Sequence, residues 1–214
     1  MNSYNYQPKT REELRKLIEQ RIKEEGNEVD LNDIDVSGIN DMSHLFEYLD
    51  FNGDISKWDV SNVTNMWGMF NGCENFNCDI SSWNVSKVTD MECMFSECKN
   101  FNQDISNWNV SKVTDMRYMF YLCKNFNQDI SGWDVSNVKD MKSMFYGCEK
   151  FNSDISGWNI SKVTDMIEML AWCKNFNQDI SKWNVSNVTN VEDIFYRCPI
   201  EDKYKPNFKN NNNI

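Results

Sequence analysis

Eight cysteines, twelve methionines and a row of evenly spaced aspartates are the residues of this 214-residue chain with the means to do chemistry. Six of the thiols, Cys73, Cys98, Cys123, Cys148, Cys173 and Cys198, recur at one interval. A metal needs ligands that converge on a point, and one thiol per interval makes a line. These six therefore read as small buried side chains that fill space. A disulfide between neighbours would form only if their Cβ vectors turned toward each other. Cys78 and Cys93 break the pattern and read as exposed free thiols, with a bond between them or to another chain as the alternative. The methionines pair at the same interval, Met66 with Met69 and onward to Met166 with Met169. Such a row is either a thioether site for copper or, as favoured here, an inward core face.

The carboxylate row comprises Asp54, Asp79, Asp104, Asp129, Asp154 and Asp179. Like charges stacked about 5 Å apart repel by about 1 kcal/mol even in water, so something must compensate. One account has each carboxylate accept backbone N–H groups in its own turn, with Asn52, Asn77, Asn102, Asn127, Asn152 and Asn177 bridging neighbouring units. The other is a file of calcium ions, which needs carbonyl oxygens to complete each shell. His44 is the only histidine, with no cysteine or serine at a spacing that would make it a general base, and there is no glycine-rich phosphate loop. These residues point away from an enzyme and call for no cofactor and no metal.

What must position these rows is a repeat. Six units begin at Phe51, Phe76, Phe101, Phe126, Phe151 and Phe176 without insertion or deletion, and a degenerate unit over 28–50 precedes them. Such regularity is the signature of a solenoid, here over 28–198. Residues 1–9 read as a flexible N-terminus. Over 10–27, Thr10 and Glu13 form a capping box, Leu14, Leu17, Ile18 and Ile22 share one face, and Gly26 ends a helix that caps the first coil. Residues 199–214 read as a polar tail that leaves the C-terminal coil the less protected end.

Within a unit, Trp108 and Val110 alternate as on a short strand, whereas Val113, Met116, Met119, Phe120 and Cys123 fit one face of a helix with Ser111 as N-cap. The expected fold is an α/β solenoid of about seven coils, each with one parallel strand and one helix. The frame of Ile105, Trp108, Val110 and Val113 resembles that of leucine-rich repeats. The whole unit, FNQDISNWNVSKVTDMRYMFYLC, resembles the 25-residue repeat of BspA-like bacterial surface proteins, a mycoplasma-type surface lipoprotein repeat. That resemblance covers roughly 10–198. It implies a leucine-rich-repeat-like fold in a secreted or cell-surface protein that binds other proteins or host surfaces.

Net charge of −11 without a long basic run argues against nucleic acid, and no stretch is apolar for the roughly 20 residues that a membrane helix needs. The start, MNSYNYQPKT, shows no signal peptide, which leaves a cytoplasmic scaffold as an alternative. Frame positions hardly vary, so recognition falls to the positions that do. On a helical coil these face outward: Trp67, Arg117, Tyr118, Tyr121, Leu122, Tyr146, Ile167, Trp172 and Tyr196. Exposed aromatics near an arginine suit a protein partner, such as a host or cell-surface protein. Self-association through the C-terminal coil is the structural alternative.

Overall fold

The computed structural model describes residues 4–208. Helix α1, Arg11–Glu25, is its one α-helix, and a single 3-10 turn spans Asp202–Tyr204. Thr10 Oγ1 accepts the Glu13 N–H at 3.1 Å, as an N-cap should. The Glu13 carboxylate reaches one residue further back than a capping box requires and accepts the Lys9 N–H at 2.7 Å. Leu14 and Ile18 are fully buried, and Gly26, at φ 95°, donates its N–H to the Ile22 carbonyl. Ahead of α1, Asn5 and Tyr6 hydrogen-bond to the backbone at Asp33 and Asp35, so this part of the leading segment is tied to the first coil. Residues 1–3 and 209–214, the outermost parts of the expected N-terminus and tail, lie outside the described residues.

The coils correct the expected α/β architecture. Among the described residues, pairing between coils gives only isolated parallel bridges, a row from Asp41 through Asn65, Asp90, Asp115, Asp140, Asp165 and Asn190 with one further bridge between Asp30 and Asp54. No coil contains a strand or a helix, and the leucine-rich-repeat comparison fails with them. Each coil is instead a chain of tight turns. Trp108 N–H donates to Ile105, Val113 to Val110, Met119 to Met116, Cys123 to Phe120 and Phe126 to Cys123, always to the carbonyl three residues back. The apolar residues that open and close these turns are the ones that point inward, all fully or nearly fully buried. A spacing of three thus serves a tandem turn as well as a helix face, which is why the pattern misleads.

A second set of donors leaves its own coil. The N–H groups of Met116, Tyr118, Phe120 and Leu122 donate to the carbonyls of Asp140, Lys142, Met144 and Tyr146 in the next coil, at 2.7 to 3.2 Å. On this arc, alternate residues turn their donors to the next coil and their neighbours' carbonyls to the previous one. To achieve it, the residues at Tyr118 and Leu122 adopt φ of 56° and 57°, and their equivalents Gly68, Gly72 and Gly147 do the same. Left-handed backbone costs a side chain-bearing residue about 1 kcal/mol, which explains the glycines.

Side chains lock the coils from inside and outside. Each of Trp58, Trp83, Trp108, Trp133, Trp158 and Trp183 donates its indole N–H to a carbonyl of the previous coil, Trp108 to Ile80 at 3.2 Å for example, and the phenylalanines stack in two columns. Outside, Asn77, Asn102, Asn127 and Asn152 each accept the backbone N–H of the next asparagine at 2.8 to 3.0 Å. The aspartate row takes the turn role: Asp54, Asp79, Asp104, Asp129, Asp154 and Asp179 accept the N–H of the serine two residues on. Ser111 is likewise no helix cap, because its own N–H is held by Asn109 Oδ1. Ile200 and Pro206 are buried and Tyr204 and Phe208 pack on the core, so part of the expected tail closes over the last coil.

Candidate functional site

The two rows that most resemble chemical sites are structural. Each of Cys73, Cys98, Cys123, Cys148 and Cys173 donates its thiol to a phenylalanine carbonyl of the previous coil at 2.8 to 3.1 Å. Burial pushes the Cys73 thiol up to about 12, and those of Cys98, Cys123, Cys148 and Cys173 well above the ordinary value. A thiol that stays protonated is neither nucleophile nor ligand. Cys78, expected exposed, is buried, because its thiol turns back to donate to the Gly53 carbonyl of the previous coil. Cys93 is half-buried, and all eight cysteines are free. Among the described residues no three His, Cys, Asp or Glu side chains converge as a metal would require. His44 lies 2.9 Å from the Glu47 carboxylate and edge-on to Trp67.

The variable positions fall into separate groups. Trp67 is exposed but far up the stack, in contact with His44. Arg117 is occupied by its own fold. Its guanidinium sits 2.6 Å from Glu92 and 2.8 Å from Asp115, with Asp140 at 3.9 Å. It therefore neutralises a file of part-buried carboxylates, and Asp90 and Asp140 in that file are pushed up by burial. Ile167 is half-buried at the same column and its carbonyl is held by the Ser143 N–H.

The aromatic positions do come together. Tyr118 meets Tyr121 edge-on at 5.9 Å beneath the Lys142 ammonium, and Tyr121 stacks on Tyr146 at 4.9 Å. In the neighbouring column the order is Leu122, Gly147, Trp172, Arg197. A Cβ on Gly147 would lie 2.6 Å from Leu122 Cδ2, so the glycine lets Leu122 lean over it. The missing side chain leaves a notch of about 160 Å³ between Leu122 and Trp172, bordered by Tyr146. Its rim is an ion-paired triad in which Glu149 lies 3.6 Å from Lys124 and 2.7 Å from Lys174. Below, Arg197 stacks on Trp172 at 4.4 Å and Tyr196 meets Trp172 edge-on at 5.9 Å.

This arrangement can take an apolar side chain between two apolar walls with charges of both signs at its mouth. Apolar cavities near 150 Å³ hold a benzene ring, so the notch suits one aromatic or branched side chain. Gly147, Lys124, Glu149 and Lys174 belong to it although sequence reasoning did not single them out. The signal was present in the chain: comparison of the repeats shows glycine at 147 between the leucine at 122 and the tryptophan at 172, a gap between two large side chains of one column.

No helix among the described residues is long and apolar enough to cross a membrane. No curated protein matches the chain at a meaningful level. A family model described as Mycoplasma protein of unknown function, DUF285, matches residues 13–131 and again 103–208, two overlapping runs of the same coils. With nearly the whole repeat array matched, the chain belongs to that family.

Proposed function

We infer that this chain is a noncatalytic protein-binding module of a bacterial surface-type repeat protein, of the BspA-like kind, and that it engages its partner through the Tyr121, Tyr146, Leu122 and Trp172 columns. The observation that carries this reading is the notch at Gly147. It joins aromatic anchors, an apolar pocket and a charged rim, which is the composition of a binding hot spot. Backbone cost supports it as well. Tyr118, Leu122 and Trp172 occupy left-handed positions where other coils place glycine, and about 1 kcal/mol at each is spent on large side chains that the core does not need. The partner is a protein of the host or of a cell surface, and the module itself is displayed or secreted.

The test is a pull-down of candidate host and bacterial proteins with the purified chain, repeated with Tyr121→Ala, Tyr146→Ala and Trp172→Ala combined. The expected result is loss of the captured partner with the melting temperature within a few degrees of the parent. A chain that unfolds on the triple substitution would make these residues core, and one that keeps its partner would place recognition elsewhere.

A further inference from the structure

The two ends of the stack are finished differently. In the first coil, the carbonyl edge has no previous coil to supply N–H donors, and α1 supplies them from side chains. Arg11 donates to the Ser43 carbonyl at 3.5 Å and to its hydroxyl, and Arg15 donates to the carbonyls of His44 and, at 3.3 Å, Glu47. The last coil has the opposite edge. There the N–H groups of Val191, Asp193, Phe195 and Arg197 correspond to those of Met116, Tyr118, Phe120 and Leu122, and none has a partner among the described residues. The turns within that coil are intact, with Ile194, Tyr196 and Cys198 each donating three residues back, and Asp193 and Arg197 keep the left-handed backbone that aims the donors outward.

The burial pattern agrees. Ser143 and Phe145 are fully buried, whereas their last-coil equivalents are an exposed Asp193 and a partly exposed Phe195. Residues 200–208 do not close this gap. They lie mainly over the other half of the coil, where the Tyr204 carbonyl accepts the Ile180 N–H at 3.0 Å, and the Lys205 ammonium reaches over the Phe195 ring at 5.7 Å without any of the four N–H groups donating to this segment.

We propose that this C-terminal donor edge is a docking site for a backbone segment of a partner protein, bound parallel to the coil through its alternate carbonyls. The occupant's chemistry is set by the ladder above it. Four donors on alternate residues match four carbonyls on alternate residues, as Asp140, Lys142, Met144 and Tyr146 display them to the preceding coil. A single anion would meet one or two of the four, whereas an added chain segment meets all of them, as when a peptide extends an open sheet. The partly exposed Phe195 and Cys198 call for apolar side chains on the same segment, to continue the stacked column. A second copy docking head to tail is disfavoured, because two of the four matching carbonyls in the first coil, those of Ser43 and Glu47, are already taken by Arg11 and Arg15.

This surface is separate from the notch at Gly147, so the two readings fail independently. The test uses the full chain and a synthetic peptide copying residues 136–151, which contains the interior acceptor row. In the free protein, the amides of Val191, Asp193, Phe195 and Arg197 should exchange with solvent orders of magnitude faster than those of Met116, Tyr118, Phe120 and Leu122. The peptide should bind saturably and protect those four amides, and Phe195→Pro, which removes one donor, should weaken it about five- to tenfold. Phe195→Ala, which keeps the N–H, separates the donor from the ring. Protection of the four amides in the free monomer, peptide binding that leaves them unprotected, the absence of binding, or their protection through dimerisation would each overturn the proposal.

Discussion

Helix α1 and the Val113–Cys123 arc of a coil carry closely similar apolar rhythms and fold into different things. Leu14, Leu17, Ile18 and Ile22 lie on one side of a helix whose backbone hydrogen bonds are local. Val113, Met116, Met119, Phe120 and Cys123 face the core from a run of turns whose other donors are satisfied by the next coil. The outward residues decide the difference. Around α1 they are Glu, Lys, Arg and Gln, good helix formers, with Arg15 paired to Glu19 four residues on at 2.8 Å. Around the arc they are Thr114, Asp115, Arg117, Tyr118, Tyr121 and Leu122, of which the Thr-Asp pair favours a turn, and a matching arc stands 25 residues away to accept what the turns leave over. A helix can form from its own sequence, whereas this arc needs a neighbour.

If the coils share one continuous core, the largest effect comes from its middle. Phe120 lies 5.7 Å from both Phe95 and Phe145 and 4.0 Å from Phe126. Phe120→Ala should cost about 3–5 kcal/mol in a urea titration. Leu14→Ala at the end of the stack should cost less, about 2–3 kcal/mol, because α1 can settle into the gap. A Phe120 variant that melts one coil alone would break the picture of a single column.

The asparagine ladder sharpens the comparison, since α1 has nothing like it. Asn102 Oδ1 accepts the Asn127 N–H at 2.8 Å, so Asn102→Ala should cost about 1–2 kcal/mol by thermal or urea unfolding. The sign of a glycine substitution then separates helix from turn. Lys16→Gly in α1 should destabilise by about 1 kcal/mol. Glu97→Gly, at φ 62° where Gly72 and Gly147 occupy the equivalent position, should stabilise by about 0.5 kcal/mol. Two losses of equal size would mean that the arc is helical after all.

The smallest effect is in pH. Hydrogen bonds from Ser81 and Ser106 hold the Asp79 and Asp104 carboxyls below their usual range. A folded-state value below the unfolded one, about 3.9, contributes stability that is present above that pH and lost as pH falls through the folded value. Asp90 and Asp140, pushed up by burial, work in the opposite sense and take up protons first. The melting temperature should be nearly level from pH 7 to about pH 5 and decline below about pH 4.

Much of this was legible in the sequence and one large part was not. The repeat, its register and the inward residues follow from gap-free alignment of the units, and Thr10 and Gly26 mark α1 because caps have specific chemistry. The turn role of the aspartates and the bridging role of the asparagines were legible for the same reason. The secondary structure of the coil was hidden, since a spacing of three describes a turn that closes three residues back as well as it describes a helix. Gly68, Gly72 and Gly147 carried the correcting signal, for glycine is a poor choice inside a helix and the right one at left-handed turns. At the candidate surface, Tyr121, Tyr146, Leu122 and Trp172 could be singled out by their variation, but the ion pairs that occupy Arg117 depend on Glu92 and Asp140 in neighbouring coils and could not.

The most direct test of the central claim, that each coil is held by donors aimed at its neighbour, is a measurement of couplings across hydrogen bonds by NMR on the isotopically labelled chain. The coupling from the Phe120 amide nitrogen should run to the Met144 carbonyl carbon, across the 2.9 Å bond between coils. A coupling from Phe120 to Met116, four residues back, would make the arc a helix and contradict the account.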